Sequence, residues 1–167
     1  MRTALIGSAT LLVLAITKAG YAIQHVKLSP PAKELTIAYD FGNASQTITG
    51  AEIVMSNAGA SVAGHVTDAT SAPVGNYSVV VFPTDRSKWF VTSRFLRLAR
   101  STQDGSFEVT GLPPGEYWVA ATEPIDGNEL SGDWLKPETL ERLSFRATRV
   151  TLMEKERLMT VLRLIRR

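Results

Sequence analysis

The stretch from Asp104 to Ala121, DGSFEVTGLPPGEYWVAA, leaves the chain little choice of fold. Asp104-Gly105 is a turn dipeptide, with a glycine where a positive φ is wanted. Phe107 and Val109 alternate with Glu108 and Thr110, the two-residue period of a half-buried strand. Gly111-Leu112-Pro113-Pro114-Gly115 cannot continue as helix or central strand, because two adjacent prolines remove two backbone donors. Tyr117, Val119 and Ala121 then resume the alternation. The segment reads as a β-hairpin in which Tyr117 faces a core. Trp118 points the other way, with Ala120 and Thr122.

Similar punctuation recurs on both sides. Ala51, Ile53 and Met55 alternate with Glu52, Val54 and Ser56, and Asn57-Ala58-Gly59 forms a turn. Val62, Gly64 and Val66 alternate with Ala63, His65 and Thr67. Residues 68–76 hold Pro73 and Gly75 and read as a loop. Tyr77 to Phe82 is strongly β-prone, and Pro83 ends the run. Phe95 to Ala99 predicts a strand, Val150 and Leu152 another. After the charged turn Glu154-Lys155-Glu156-Arg157, the residues Met159, Val161, Leu162 and Leu164 form the last. Proline and acid at the start of 136–143, and Arg142 near its end, predict a short helix. Short strands spaced by about 8–12 residues predict an all-β fold, a Greek-key β-sandwich of about seven strands. The helix is an insertion before the last strands. No βαβ alternation points to a nucleotide-binding α/β fold.

The N-terminus has a different character. Arg2 precedes an apolar run from Thr3 to Thr17, closed by Lys18. A run of about 15 residues is short for a membrane span and suits the core of a signal peptide. Gly20 and Ala22 supply small residues for cleavage. Residues 1–22 are therefore expected to be a secretory signal peptide, with an uncleaved anchor or a buried helix as the alternatives. Residues 23–46, with Ser29-Pro30-Pro31 and Asp40-Phe41-Gly42-Asn43, read as a loosely ordered lead-in that includes a short strand around Leu35 and Ile37. Residues 47–167 form the sandwich. The expected location is secreted, periplasmic or on the outer cell surface, with no stable membrane span once the signal is removed.

Composition narrows the chemistry. The 167 residues contain no cysteine, which excludes disulfides, thiolate nucleophiles and cysteine metal sites. A net charge of +2 gives no reason to expect nucleic-acid binding. Arg86, Lys88, Arg94, Arg97, Arg100, Arg142, Arg146 and Arg149 gather in the second half, where they read as solvated faces balanced by nearby acids. No Gly-x-Ser-x-Gly elbow is present. Of the two histidines, His25 and His65, the second lies on a strand out of phase with Val62, Gly64 and Val66, and reads as an outer-face residue. Asp126, Glu129 and Asp133 share one loop and could offer oxygen ligands to Ca²⁺, but the spacing is not that of an EF-hand and solvated acids are the simpler reading. No metal and no cofactor are expected.

Val62-Ala63-Gly64-His65-Val66-Thr67-Asp68, Ala72-Pro73-Val74, Val79-Val80-Val81-Phe82-Pro83, Gln103 to Phe107 and Gly111 to Tyr117 together resemble the carboxypeptidase regulatory-like domain. The similarity covers roughly residues 48–165. It implies a transthyretin-like (prealbumin-like) sandwich. Phe82-Pro83 with Asp85-Arg86 and Trp89, and later Trp134-Leu135 with Leu140-Glu141-Arg142-Leu143, also resemble terminal domains of large bacterial surface proteins, which often stand in tandem after other β-modules. This chain departs from that pattern in being short and in carrying its own leader-like segment. It also has Thr70-Ser71-Ala72 where the family usually has a glycine. In carboxypeptidases the domain sits beside the catalytic domain and carries no zinc ligand. Related sandwiches are classed with starch-binding-like folds, so sugar binding is an analogy the resemblance implies.

The aromatic residues offer the candidate ligand site. Trp118, outward beside small residues, suits a sugar ring or a partner chain. Trp89 and Trp134 lie in the two longest loops, and with Arg86 and Arg94 could line a shallow site. In the competing reading, Trp134 and Leu135 cap the open end of the sandwich with Trp89 packed beneath them. The expected function is a non-enzymatic exported module, structural or protein-binding, at the bacterial cell envelope. A carbohydrate-binding accessory module is the alternative. A transthyretin-like hydrolase would need clustered His and Arg, and His65 stands alone in the sandwich. An edge strand could pair with another chain, and Glu154 to Arg157 and Arg166-Arg167 would blunt one.

Overall fold

A computed structural model of the chain describes residues 22–28, 33–35, 52–91, 93–126 and 131–166. Of the expected leader only Ala22 falls within that set, and Ile37 of the short lead-in strand lies outside it. Strands β1 (Ala22–Leu28), β2 (Lys33–Leu35) and β3 (Glu52–Ser56) form a small antiparallel sheet in the order β2-β1-β3. The region expected as a loosely ordered lead-in thus contributes two strands. A register shift between Ile23 and His25 breaks the two-residue period by which β1 would have been recognised.

Seven strands make the sandwich: β4 (Ala60–Thr67), β5 (Ser78–Pro83), β6 (Arg97–Arg100), β7 (Ser106–Leu112), β8 (Gly115–Thr122), β9 (Thr148–Leu152) and β10 (Arg157–Ile165). Helix α1 (Pro137–Ser144) precedes the last two, with proline in its first turn and Arg142 in its last. β6 starts two residues later than the apolar pattern predicts. Turns in which Ser93 N–H donates to Phe90 and Leu96 N–H to Ser93 hold Phe95 and Leu96 outside the ladder.

One layer is β7-β4-β10 and the other β6-β5-β8-β9. β10 runs parallel to β4 from Arg157 opposite Ser61 to Arg163 opposite Thr67. Its last residues then leave that layer: Leu164 and Ile165 pair with Ala121 and Thr122 of β8. β10 thereby stitches the two layers together along one side. The approach of β4 to β10 is so close that a Cβ on Gly64 would lie 1.7 Å from the carbonyl oxygen of Thr160.

The core between the layers holds Val62, Val66, Phe107, Val109 and Leu162 from one sheet and Val79, Val81, Tyr117, Val119, Ala121, Val150 and Leu152 from the other. Tyr117 faces inward as its phase predicts. Its buried hydroxyl donates to the Pro113 carbonyl at 2.7 Å, so the polar tip is satisfied.

The expected hairpin needs correction. β7 and β8 both exist, but they do not pair with each other: β7 pairs with β4, and β8 with β5 and β9. The Leu112–Gly115 turn carries the chain from one layer across to the other. Two adjacent prolines cannot supply the ladder donors of a hairpin end, so the motif suits an arch between sheets. The positive φ of Gly111 (71°) starts the departure.

Candidate interaction site

The face of β5 and β8 that points away from the core is itself covered. Phe82 lies opposite Trp118, Val80 opposite Ala120, and Ser78 opposite Thr122, all on that face. Against them pack Trp89, Leu96, Trp134, Leu135 and Leu140, with Leu98, Ile125, Leu143, Ala147 and Ile165 partly buried around them. β5 is consequently buried at every residue, because it has apolar neighbours on both sides.

This layer settles where the candidate aromatics sit. Trp89 is 7% exposed and Trp134 2% exposed. The Trp89 indole N–H donates to the Pro83 carbonyl at 2.7 Å, and its ring meets Phe82 edge-on with centroids 5.6 Å apart. The Trp134 indole donates to the Ser131 carbonyl at 3.2 Å. Both indoles are packing elements, and the face they cover is the broad outer face of the sheet rather than its open end. Gly132, at φ 126°, lets the chain pass directly over Trp134: a Cβ there would meet the indole Cδ1 at 2.9 Å.

Trp118 is half-buried at the margin of the same cluster. The guanidinium of Arg149 stands 6.0 Å from its ring centre and is itself held by Glu116 at 2.9 Å. One face of the ring that a sugar would stack on therefore already has a cation over it.

Arg86 is brought to the same region. It pairs with Glu141 of α1 and lies 5.6 Å from the Trp89 ring centre, and Trp89 packs in one cluster with Trp134, so the two long loops do meet. Arg94 lies over Phe95, at 4.9 Å, and Phe95 belongs to the core between the layers. The grouping of Trp89, Trp134, Arg86 and Arg94 thus resolves into a packed cluster with Arg86 at its rim and Arg94 against Phe95.

His65 is exposed, opposite Val161 on one side and Ser106 on the other. Asp133 pairs with Lys136 at 2.8 Å, Asp126 is exposed, and Glu129 lies outside the described residues. Among the described residues no group of three potential metal-ligating side chains converges, and no helix is long and apolar enough to cross a membrane.

The exposed apolar surface lies on the other sheet. β10 turns Leu158, Leu162 and Leu164 toward the core and Met159 and Val161 outward. Met159 is 62% and Val161 67% exposed, beside Ala63 and His65 of β4. An ion pair from Arg157 to Glu108, 3.2 Å, frames one end of this strip. Among the described residues, β10 from Arg157 to Arg163 pairs with β4 on one side only. Sequence reading grouped Met159 and Val161 with Leu162 and Leu164 as one strand and did not single them out. Their alternation with Leu158 and Leu162 was the available signal.

The loops at one end are held by carboxylates acting as turn acceptors. Asp68 accepts from Thr70 and Ala72 N–H at 2.8 and 3.0 Å. Asp104 accepts from the Thr102 hydroxyl, and from the Ser106 hydroxyl and N–H at 2.8 and 3.1 Å. These bonds, led by Thr102, pull the Asp104 pKa from 3.8 down to about 2. The unfolded chain binds this proton more tightly than the folded one. The contribution of Asp104 to stability is therefore complete above about pH 4 and is lost as pH falls toward 2. A carboxyl NMR titration is expected to show that low midpoint, and Asp104→Asn to remove this part of the acid sensitivity. A midpoint at the ordinary value would show that the turn does not hold in solution.

The fold and this surface define a β-sandwich module with a covered sheet face and an open one. Residues 61–125 match the carboxypeptidase regulatory-like domain family. The matched stretch runs from β4 to just past β8. Among solved structures, the chain is similar to BcpA, the major pilin subunit of Bacillus cereus. Identity is 11% and TM-score 0.43, covering 70% of this chain and 32% of that one. A streptococcal ancillary pilin gives 13% identity and TM-score 0.41, over 79% of this chain and 39% of that one. A Pseudomonas aeruginosa protein, described as a candidate carbohydrate-binding protein, gives 14% identity and TM-score 0.38, over 62% and 87%. Against three larger structures, the B. cereus pilin subunit among them, the chain spans 20%, 28% and 32% of their length. No curated protein matches the chain in sequence.

Proposed function

We propose that this chain is a non-enzymatic, exported β-sandwich module that acts as a structural or protein-interaction domain at the bacterial cell envelope. The open face of β7-β4-β10 carries this reading. Its exposed Met159 and Val161 lie on a strand whose other edge is largely unpaired among the described residues. Apolar side chains beside such an edge suit a partner polypeptide, by face packing or by strand addition. Export is supported by the Arg2 to Ala22 sequence alone, with its basic start, apolar run and small residues.

The test is a photo-crosslinking residue placed at Val161 in the full chain, in cells, with the same residue at exposed Glu138 as the control. Protein adducts from position 161 and none from position 138 are expected. Adducts from neither, or recovery of the chain only from the cytoplasm, would sink the proposal. A glycan array checks the carbohydrate reading. Binding that Trp118→Ala abolishes at unchanged stability would replace the present reading with that one.

A further inference from the structure

A second surface lies where α1 ends beside the end of β10, and its chemistry differs from that of the open face. Arg142 lies in the last turn of α1, Phe145 caps the helix, and Arg146 follows in the turn, where its N–H donates to the Leu143 carbonyl at 3.0 Å, so the three gather at the C-terminal end of α1. Phe145 is 79% exposed, the most exposed large apolar side chain among the described residues. The Arg146 guanidinium donates to the Arg166 carbonyl at 3.3 Å, which brings the end of β10 alongside. Arg163 reaches the Ala69 carbonyl at 3.3 Å on the same end of the sandwich.

Among the described residues, none of Arg142, Arg146, Arg163 and Arg166 makes an ion pair. The five pairs present use Arg86, Lys88, Lys136, Arg149 and Arg157. Asp68 lies close enough to Arg166 for the two charges to attract, without forming an ion pair. Glu141, on the same helix, is taken by Arg86. This end of a chain with a net charge of only +2 therefore gathers four arginines that make no ion pair among the described residues, near one protruding aromatic ring.

We infer that this end docks on an anionic lipid surface. Arginines meet the phosphate headgroups and the Phe145 ring enters the boundary between headgroup and acyl chain. A cationic rim around an exposed aromatic is complementary to a charged interface with apolar material just beneath it. The same arginines would serve a purely ionic polymer, but the exposed Phe145 ring gains nothing from one. Of these side chains only Arg163 shares the open face with Met159 and Val161; Phe145, Arg146 and Arg166 do not lie on β7-β4-β10, and crosslinking at Val161 does not bear on them.

The test is flotation of the full chain with vesicles of phosphatidylcholine, with and without phosphatidylglycerol. The N-terminal apolar segment adds a binding component common to both, so the quantity read is the increment due to the anionic lipid. Arg146→Ala and Arg166→Ala are each expected to lower that increment about fivefold, and added salt to erase it. Phe145→Ser lowers it as well. Arg157→Ala, the same charge change at the far end of β10, leaves it unchanged. An increment of zero, an equal loss with Arg157→Ala, or a Phe145→Ser chain that binds like the original would overturn the inference. So would binding to a DNA duplex as tight as to the vesicles and lost with the same arginines. All these side chains are exposed, and thermal unfolding of each variant confirms an intact fold.

Discussion

Gly64→Ala is expected to cost about 4 kcal/mol or more, a large part of the roughly 5–15 kcal/mol that holds a typical domain folded. The added methyl would lie 1.7 Å from the Thr160 carbonyl oxygen. That neighbour is backbone, so no rotamer change can clear the clash, and β4 and β10 must move apart. The loss should appear as a large fall in the denaturation midpoint, with hydrogen exchange failing first in the β10 amides that pair with β4. Gly75→Ala is the matched control, since a Cβ there meets nothing within 4 Å. It should leave stability within about 0.5 kcal/mol. A Gly64→Ala chain with an unchanged midpoint would refute the close parallel pairing.

Trp134→Ala is expected to cost about 3–5 kcal/mol, the usual result of emptying a buried indole site. Trp134 is 2% exposed and anchors the layer of Leu135, Leu140 and Trp89 on the outer face of β5 and β8. Urea denaturation should show the loss. Unchanged stability together with loss of a ligand would instead make Trp134 part of a binding surface. Trp118→Ala, at the margin of the cluster, should cost clearly less than either buried tryptophan.

The strands were legible because glycine and proline punctuate apolar alternation from Asn57 onward. The helix was legible from Pro137, Glu138 and Arg142. What could not be read was which strands pair. Asp104 to Ala121 has the local grammar of a hairpin, yet its strands join different sheets, and nothing within eighteen residues distinguishes a hairpin from an arch. The outer layer was misjudged for a related reason. Ala120 and Thr122 beside Trp118 look like an open platform, but Ala120 is small and fully buried where the layer closes over β8. The clue lay in Val79-Val80-Val81-Phe82, apolar in both phases, which is how a strand covered on both faces reads. The exposed pair Met159 and Val161 needed the pairing of β10 with β4 before its face could be assigned.

That same strand governs the order in which the molecule can be finished. Every residue of β4 from Ser61 to Thr67 awaits a partner near the end of the chain, and β8 awaits Leu164 and Ile165. Until those residues are free, the two layers are unjoined and β4 presents a row of idle peptide groups. A chain cut short by one strand would therefore be a sticky intermediate rather than a smaller stable domain. For a polypeptide threaded N-terminus first through a pore, the last strand of the sandwich to arrive would be the bolt that locks the others.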